Sequence, residues 1–360
     1  MKKKILIDLE RLRYPNSGIA NVFRNLAKGL SETENASVDV SVFGPENEIK
    51  KDISTLKIIN RKSFHKLFAP FLKGFDIVHV SHQLSSYFNA DCKKTKKIVT
   101  LHDLNFLHEN LSEKKRKKML SVVNRNLRYA DYIVCISEFV KQDFLKNRHL
   151  FSLKKLKEIE VIHNGIQLPE SRIYDFGKYD FLKNKKYILN IGVLFDKKNQ
   201  LPLVEMLPYI SEDLVLIASD EKERYAALVK EKIQELNLQN RIHFLKNLSE
   251  EEKYAVIQNC EAMLHPSVAE GFGIPPIEAM AFGKPVFLST FTSLPEIGGD
   301  CAFYFENFDG KKMAEFYLEK MKFFNENKEE LELRIKNRTA QFDYKVMSKN
   351  YLDFYKRILK

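Results

Sequence analysis

Residues 263–300 read MLHPSVAEGFGIPPIEAMAFGKPVFLSTFTSLPEIGGD, and few backbone arrangements accommodate them. An apolar run reaches His265 and stops at Pro266. Glu270-Gly271-Phe272-Gly273 then forms a loop whose two glycines permit positive φ and a close approach of the backbone to a ligand. Pro275 and Pro276 suit the first turn of a helix, where a missing N–H costs little. That helix is expected over 277–282, ending at Gly283, a residue type that takes the left-handed conformation after a helix. Lys284-Pro285-Val286-Phe287-Leu288 opens the next strand. The pattern predicts a strand, a glycine loop and a helix whose N-terminus faces the strand's carboxyl end. Unsatisfied N–H groups and the positive end of the helix dipole favour an anion there, most often a phosphate.

Two acids frame the loop, Glu270 and Glu278, with seven residues between them. Taken alone, Glu278 suits a dipole-complementing acid in a first helical turn and Glu270 a solvated loop acid. Together with the glycines, the prolines and the later Pro295-Glu296-Ile297-Gly298-Gly299 turn they form a more specific pattern. E-G-F-G-I-P-P-I-E-A-M-A-F-G-K-P-V resembles the E-x7-E signature of the retaining glycosyltransferases of family 4, which have the GT-B fold. The resemblance implies an α/β chain of two Rossmann-like domains facing across a central cleft, with the last helix packing back on the first domain.

Length and periodicity agree with two domains. A chain of 360 residues exceeds one typical core, and strand patterns alternating with helical ones argue for parallel sheets. The first strand is expected at 5–8, followed by the loop Asn16-Ser17-Gly18-Ile19-Ala20 and a helix marked by Val22, Leu26 and Leu30. Gly18 thus sits at a strand-to-helix junction, where doubly wound sheets bind ligands, and it matches the family's S-G-I loop. Ile98-Val99-Thr100-Leu101 is a strand ending in His102-Asp103-Leu104. A histidine at such a tip can reach a ligand or satisfy a neighbour's backbone. The tripeptide resembles the family's H-D-L segment, whose histidine contacts the donor sugar or its phosphate. Residues 130–137 resemble the A-D-x-I-x-x-x-S strand, with Ser137 as N-cap of a helix over 138–145. Residues 161–166 resemble the segment that closes the first domain.

The polar chain from Gln167 to Lys186 reads as a linker, which sets the domains at 1–166 and 187–340 with a returning helix in 341–360. The second domain opens with a strand over 187–191 that ends at Gly192. Val193-Leu194-Phe195-Asp196-Lys197-Lys198-Asn199 resembles the family's G-x-L-x-x-R-K-N segment. Lys198 lies just beyond the strand tip, where an ammonium can neutralise a departing diphosphate. Lys197 replaces the usual arginine, and Val193 stands where many relatives carry another, which shifts the charge work onto the two lysines.

No apolar run approaches the roughly 18–20 residues that span a bilayer, and the start Met1-Lys2-Lys3-Lys4-Ile5-Leu6-Ile7 reads as a strand rather than a signal peptide. Cys92, Cys135, Cys260 and Cys301 lie far apart without a CxxC pair, so neither a zinc site nor a disulfide framework is indicated and a reducing cytoplasm is expected. The net charge of +11 is unevenly placed. Residues 1–165 carry 31 Lys and Arg against 18 Asp and Glu, a balance of +13; the remainder carry 28 against 30, a balance of −2. A helix expected over 114–129 begins Lys114-Lys115-Arg116-Lys117-Lys118 and turns Met119, Val122, Val123 and Leu127 to one apolar face. Such asymmetry points to an anionic partner surface, and in the absence of an RNP-like or zinc-finger pattern a membrane ranks above nucleic acid.

By resemblance, the activity is retaining transfer of a hexose from a nucleotide diphosphate sugar, GDP-mannose or a UDP-sugar. The acceptor is a glycan or lipid-linked glycan of a cell-surface polysaccharide, met at the inner face of the membrane. No cofactor and no metal are implied; there is no Asp-x-Asp triplet, and Asp8-Leu9-Glu10 is a poor match to one. Catalytic roles fall on Glu270, His102 and Lys198, and donor binding on Gly18, Gly192, Lys197, Gly271, Phe272, Gly273, Ile274 and Glu278. Glu270 and the loop amides meet sugar hydroxyls, while Glu278 meets the nucleotide ribose. A non-catalytic sugar-nucleotide-binding subunit and a two-domain epimerase or phosphorylase are the competing readings.

Overall fold

The computed structural model describes every residue except Met1, Asn16, 34–36, Phe68, Asn110 and Ser219. Contacts divide the chain into two units, Met1–Gln167 with Phe342–Lys360, and Leu168–Gln341.

The first unit holds seven strands: β1 (Lys3–Asp8), β2 (Val38–Gly44), β3 (Lys57–Asn60), β4 (Ile77–Val80), β5 (Lys96–Leu101), β6 (Tyr132–Cys135) and β7 (Glu158–Val161). All pair in parallel in the order β3-β2-β1-β4-β5-β6-β7. Strands covered on both faces need apolar residues at consecutive positions. β1 supplies Ile5, Leu6 and Ile7, and β6 supplies Ile133, Val134 and Cys135, all fully buried. Four helices follow strands: α1 (Gly18–Glu32), α2 (Glu46–Ile49), α3 (Glu113–Leu127) and α4 (Glu138–Lys146). Ser137 caps α4 by accepting from the Val140 N–H.

The apolar face of α3 is spent on the unit's own core: Val123 and Leu127 are fully buried, while 114–118 remain exposed. The reason is geometric, because an amphipathic helix buries its one apolar stripe against its own domain. What it presents outward is mostly charge, with Ser121 exposed and Met119, Leu120 and Val122 half-buried.

The second unit holds β8 (Tyr187–Ile191), β9 (Asp213–Ile217), β10 (Ile242–Leu245), β11 (Ala262–His265), β12 (Val286–Ser289) and β13 (Phe303–Phe305), parallel in the order β10-β9-β8-β11-β12-β13. Its helices are α5 (Leu201–Met206), α6 (Glu223–Glu235), α7 (Glu250–Asn259), α8 (Ile274–Ala281), α9 (Leu294–Gly298), α10 (Gly310–Glu326) and α11 (Lys328–Thr339). Successive residues of β8 alternate between two cores: Ile188 joins one face, Tyr187 and Leu189 the other. The stretch 168–186, read from sequence as a linker, is part of this unit. Tyr174, Phe176 and Leu182 sink into its core, and Arg172 clamps Glu251 of α7 with two hydrogen bonds. A few apolar side chains among polar ones were enough to dock it.

The closing helix α12 (Tyr344–Leu359) belongs to the first unit. It lies so close to α1 that a Cβ on Gly29 would stand 2.2 Å from Ser348 Oγ. Buried His79 of β4 ties it to the sheet, bonding Tyr355 Oη through Nδ1 at 2.6 Å and Thr100 Oγ1 through Nε2 at 2.7 Å.

In each sheet the strand order reverses direction once, between β1 and β4 and between β8 and β11. Open α/β sheets bind ligands beyond the carboxyl ends of the strands at this switch point.

Candidate active site

At the second unit's switch point, β11 ends in His265 and Pro266 turns the chain into the glycine loop. Gly273 takes φ of +114°, and a Cβ there would also stand 3.0 Å from Leu294, so glycine is required on two counts. α8 therefore starts at Ile274, one turn earlier than expected, and both prolines fall within its first turn. This trims the anion site, since Pro275 and Pro276 have no N–H and the free donors narrow to the amides at the helix entrance, such as Gly273 and Ile274.

The loop is braced by the end of β12 and the segment after it. Ser289 Oγ donates to the Ser267 carbonyl, Ser293 Oγ to the Phe272 carbonyl at 2.8 Å, and Thr292 Oγ1 accepts the Glu270 N–H at 3.1 Å. On the other side the β8–α5 connection is knitted to 266–268: Ser267 Oγ donates to the Lys197 carbonyl at 2.9 Å, as does the Val268 N–H at 2.8 Å. These ties bring Lys198, whose stem runs along Gly192, to Glu270.

Glu270 is the centre of the arrangement. Its Oε1 accepts from Lys198 Nζ and from His265 Nε2, the latter at 2.7 Å. Its side chain is 13 % exposed, so the solvated loop acid that Glu270 suggests when taken alone is not what the fold holds. Burial works to raise its pKa, but the Lys198 ammonium and the His265 hydrogen bond outweigh it and hold the carboxyl well below its ordinary range. Glu278, on the first turns of α8, is likewise held by a lysine: Lys253 Nζ of α7 lies 2.6 Å from its Oε1. Each framing acid thus enters with one oxygen already engaged by a cation. Lys198, expected to face a phosphate, is paired with Glu270.

The first unit's switch point carries a separate polar cluster. Gly18 opens α1 behind its Ser17 cap, and Phe23 on the next turns packs 6.1 Å from the His102 ring. His102 Nε2 donates to the Ser81 carbonyl at 2.8 Å, and burial lowers its pKa to about 4. The ring is therefore neutral at pH 7 with a lone pair on Nδ1, which suits a hydroxyl donor better than a phosphate oxygen. His82 lies 5.5 Å away and is held well below its ordinary pKa by burial, then by His102 and Arg11. Asp8, at the tip of β1, is fully buried and its pKa rises to about 7 through burial and the neighbouring Glu10.

Of the residues singled out from sequence, Gly192, Lys197, Lys198, Glu270, Gly271, Phe272, Gly273, Ile274 and Glu278 gather at one sheet end of the second unit, while Gly18 and His102 stand in the first. Sequence reasoning passed over His265, Thr292, Ser293, Lys253 and Asp8. The hydroxyl run Ser289-Thr290-Phe291-Thr292-Ser293 was a usable signal for the loop brace; nothing local marked Lys253. Among the described residues, no three His, Cys, Asp or Glu side chains gather as metal ligands, and no helix is long and apolar enough to cross a membrane.

Comparison with known proteins bears on this geometry. Residues 172–341 match the family described as Glycosyl transferases group 1, and residues 16–169 the one described as Glycosyltransferase Family 4. The chain is 26 % identical over 216 residues to O-antigen chain mannosyltransferase RfbU of Salmonella typhimurium, covering 59 % of this chain and 57 % of that protein. It is 23 % identical to O-antigen chain mannosyltransferase B of Escherichia coli, covering 82 % of this chain and 85 % of that one. The match thus spans little more than half the length of the first relative. In fold, the chain resembles the Anabaena protein HepE in complex with UDP and glucose, with a TM-score of 0.70 at 18 % identity over 99 % of this chain and 100 % of that one.

Proposed function

The chain belongs to the glycosyltransferases of the family 4 type, built on the GT-B fold, and from that premise we propose that it moves a hexose with retention from a nucleotide diphosphate sugar to a growing cell-surface polysaccharide. The observation that carries the reading is Glu270, ionised, with one oxygen pinned by Lys198 and His265, at the mouth of a glycine loop that opens a helix. In the proposed reaction the bond from the sugar's anomeric carbon to phosphate oxygen breaks, and its electron pair leaves on the diphosphate. The acceptor hydroxyl oxygen bonds the same face of that carbon, and its proton passes to the departing phosphate oxygen on that face. Negative charge then grows on the diphosphate, where the loop amides and Lys198 are the groups placed to offset it. Glu270 accepts from sugar hydroxyls and Glu278 from the ribose. Lys198, on a flexible stem, exchanges Glu270 for the phosphate as the donor enters.

Mannose carried on GDP is the donor we favour, because two relatives are named as mannosyltransferases. The Anabaena relative, bound to UDP and glucose, makes UDP-glucose the next to test. The step needs no metal in this scheme. The exposed basic run 114–118 supports a peripheral, charge-driven encounter with an anionic membrane.

A panel of nucleotide sugars, read first by thermal shift and then by donor turnover with and without acceptor glycan, tests the reading. A ligand bound by the native state alone raises stability as RT ln(1 + [L]/Kd). One nucleotide sugar should stabilise the protein and be consumed in an acceptor-dependent way. Binding without turnover across an acceptor panel would favour the partner-subunit reading, and a changed sugar on an intact nucleotide would favour the epimerase.

A further inference from the structure

His265 is the last residue of β11 and is 1 % exposed. Among the described residues its ring has one hydrogen-bond partner, Glu270, and its buried Nδ1 has none. A histidine that served only to fill the core would be a poor choice, since an apolar residue of similar size leaves no ring nitrogen unsatisfied. The geometry therefore needs another reason for an imidazole.

The carboxylate supplies it. An ionised carboxylate can only accept, so the ring carries a proton on Nε2. Both donors meet on the same oxygen, Oε1, while Oε2 takes no bond from any described residue and is not among the buried unsatisfied atoms. Glu270 is thus gripped on one side and open on the other. Of the two grips, Lys198 is on a long rotatable stem, whereas His265 is locked in a strand.

We infer that His265 is a positioning residue for the transfer reaction, whose Nε2–H fixes the Glu270 rotamer so that Oε2 stays aimed at the donor sugar when Lys198 turns to the diphosphate. The inference rests on the glycosyltransferase reading. Its consequence is specific: His265 matters for the sugar half of the donor and not for the nucleotide half.

Two substitutions separate positioning from packing. In His265→Gln the amide nitrogen lies about as far along the side chain as imidazole Nε2 and can still donate to Oε1; in His265→Asn it falls short. His265→Asn should lower kcat/KM by about 10- to 100-fold, the usual loss when an outer partner of a working side chain is removed, with the fall in kcat rather than KM. His265→Gln should retain most of the activity. In thermal shift, His265→Asn should keep the stabilisation given by the nucleoside diphosphate alone and lose the extra increment given by the intact nucleotide sugar. Equal losses in the two variants, or wild-type kinetics in His265→Asn, overturn the inference. A measurement on the unaltered protein stands beside them: nitrogen-15 NMR should show the Nε2–H tautomer of His265, and the Nδ1–H tautomer overturns the inference however the variants fold. Glu270→Ala distinguishes the two levels. If it transfers at the wild-type rate, the glycosyltransferase reading of the site falls; if it is inert while His265→Asn is active, only the role of His265 falls.

Discussion

Replacing Asp8 by asparagine should remove a pH dependence from the stability of the first unit. Asp8 ends β1 fully buried; burial, reinforced by Glu10, raises its pKa from 3.8 to about 7, against the lowering effect of bonds from the Glu10 N–H and the Ser85 hydroxyl. A carboxyl whose folded pKa lies above its unfolded one holds its proton more tightly when folded. Its contribution is therefore fully present below about pH 4 and is lost as pH rises through about 7. A difference of about three units corresponds to on the order of 4 kcal/mol between those extremes, and the interval from pH 5 to pH 8 spans roughly 2–3 kcal/mol of it. Asparagine has no charge to bury. Its Oδ1 still accepts from the Glu10 N–H, and its amide can donate to Ser85 Oγ. Urea unfolding of both proteins at pH 5 and pH 8, followed by circular dichroism because the chain has 15 tyrosines and no tryptophan, measures the effect. Every other titrating group is common to both proteins and cancels in the difference. The stability of Asp8→Asn relative to wild type should rise by about 2–3 kcal/mol between the two pH values. A relative stability that is the same at both would refute the assignment of a protonated, buried Asp8.

Lys198→Ala should lower kcat/KM by about two to three powers of ten, as for other groups aimed at developing charge, and a loss within a factor of a few would remove Lys198 from the diphosphate. EDTA should leave wild-type turnover unchanged; a strict need for Mg²⁺ or Mn²⁺ in the chemical step would contradict the scheme. Neutralising Lys114, Lys115, Arg116, Lys117 and Lys118 should abolish sedimentation with anionic vesicles, each basic residue contributing roughly 1 kcal/mol near such a surface. The wild-type binding should fade as salt shortens screening. Equal pelleting with neutral lipid would end the docking idea.

The architecture was legible because it is written in local, repeated signals. Consecutive apolar residues in short runs, glycine and proline at the junctions, and caps such as Ser137 all act within a few residues of themselves. The same locality explains why the strand, glycine loop and helix around Glu270 could be drawn from the chain alone: Gly273 must be glycine whatever surrounds it, given its φ.

What the chain alone did not reveal is who meets whom. Glu270 reads as a loop acid until β8 and β11 are laid side by side, which brings Lys198 from 72 residues away onto the same oxygen as His265. Lys253 lies 25 residues from Glu278 in a different helix and becomes its partner only because α7 and α8 pack together. The apolar stripe of α3 is visible along the chain, but that Val123 and Leu127 are fully buried is decided by packing. Asp8 is an ordinary aspartate in sequence and one with a raised pKa in the fold, because burial withdraws the solvent that would stabilise its charge and Glu10 lies beside it. Periodicity and turn chemistry are properties of neighbours along the chain and survive without tertiary structure. Ion pairing, exposure and proton affinity depend on distance through space and on excluded water, and only the packed sheets decide those.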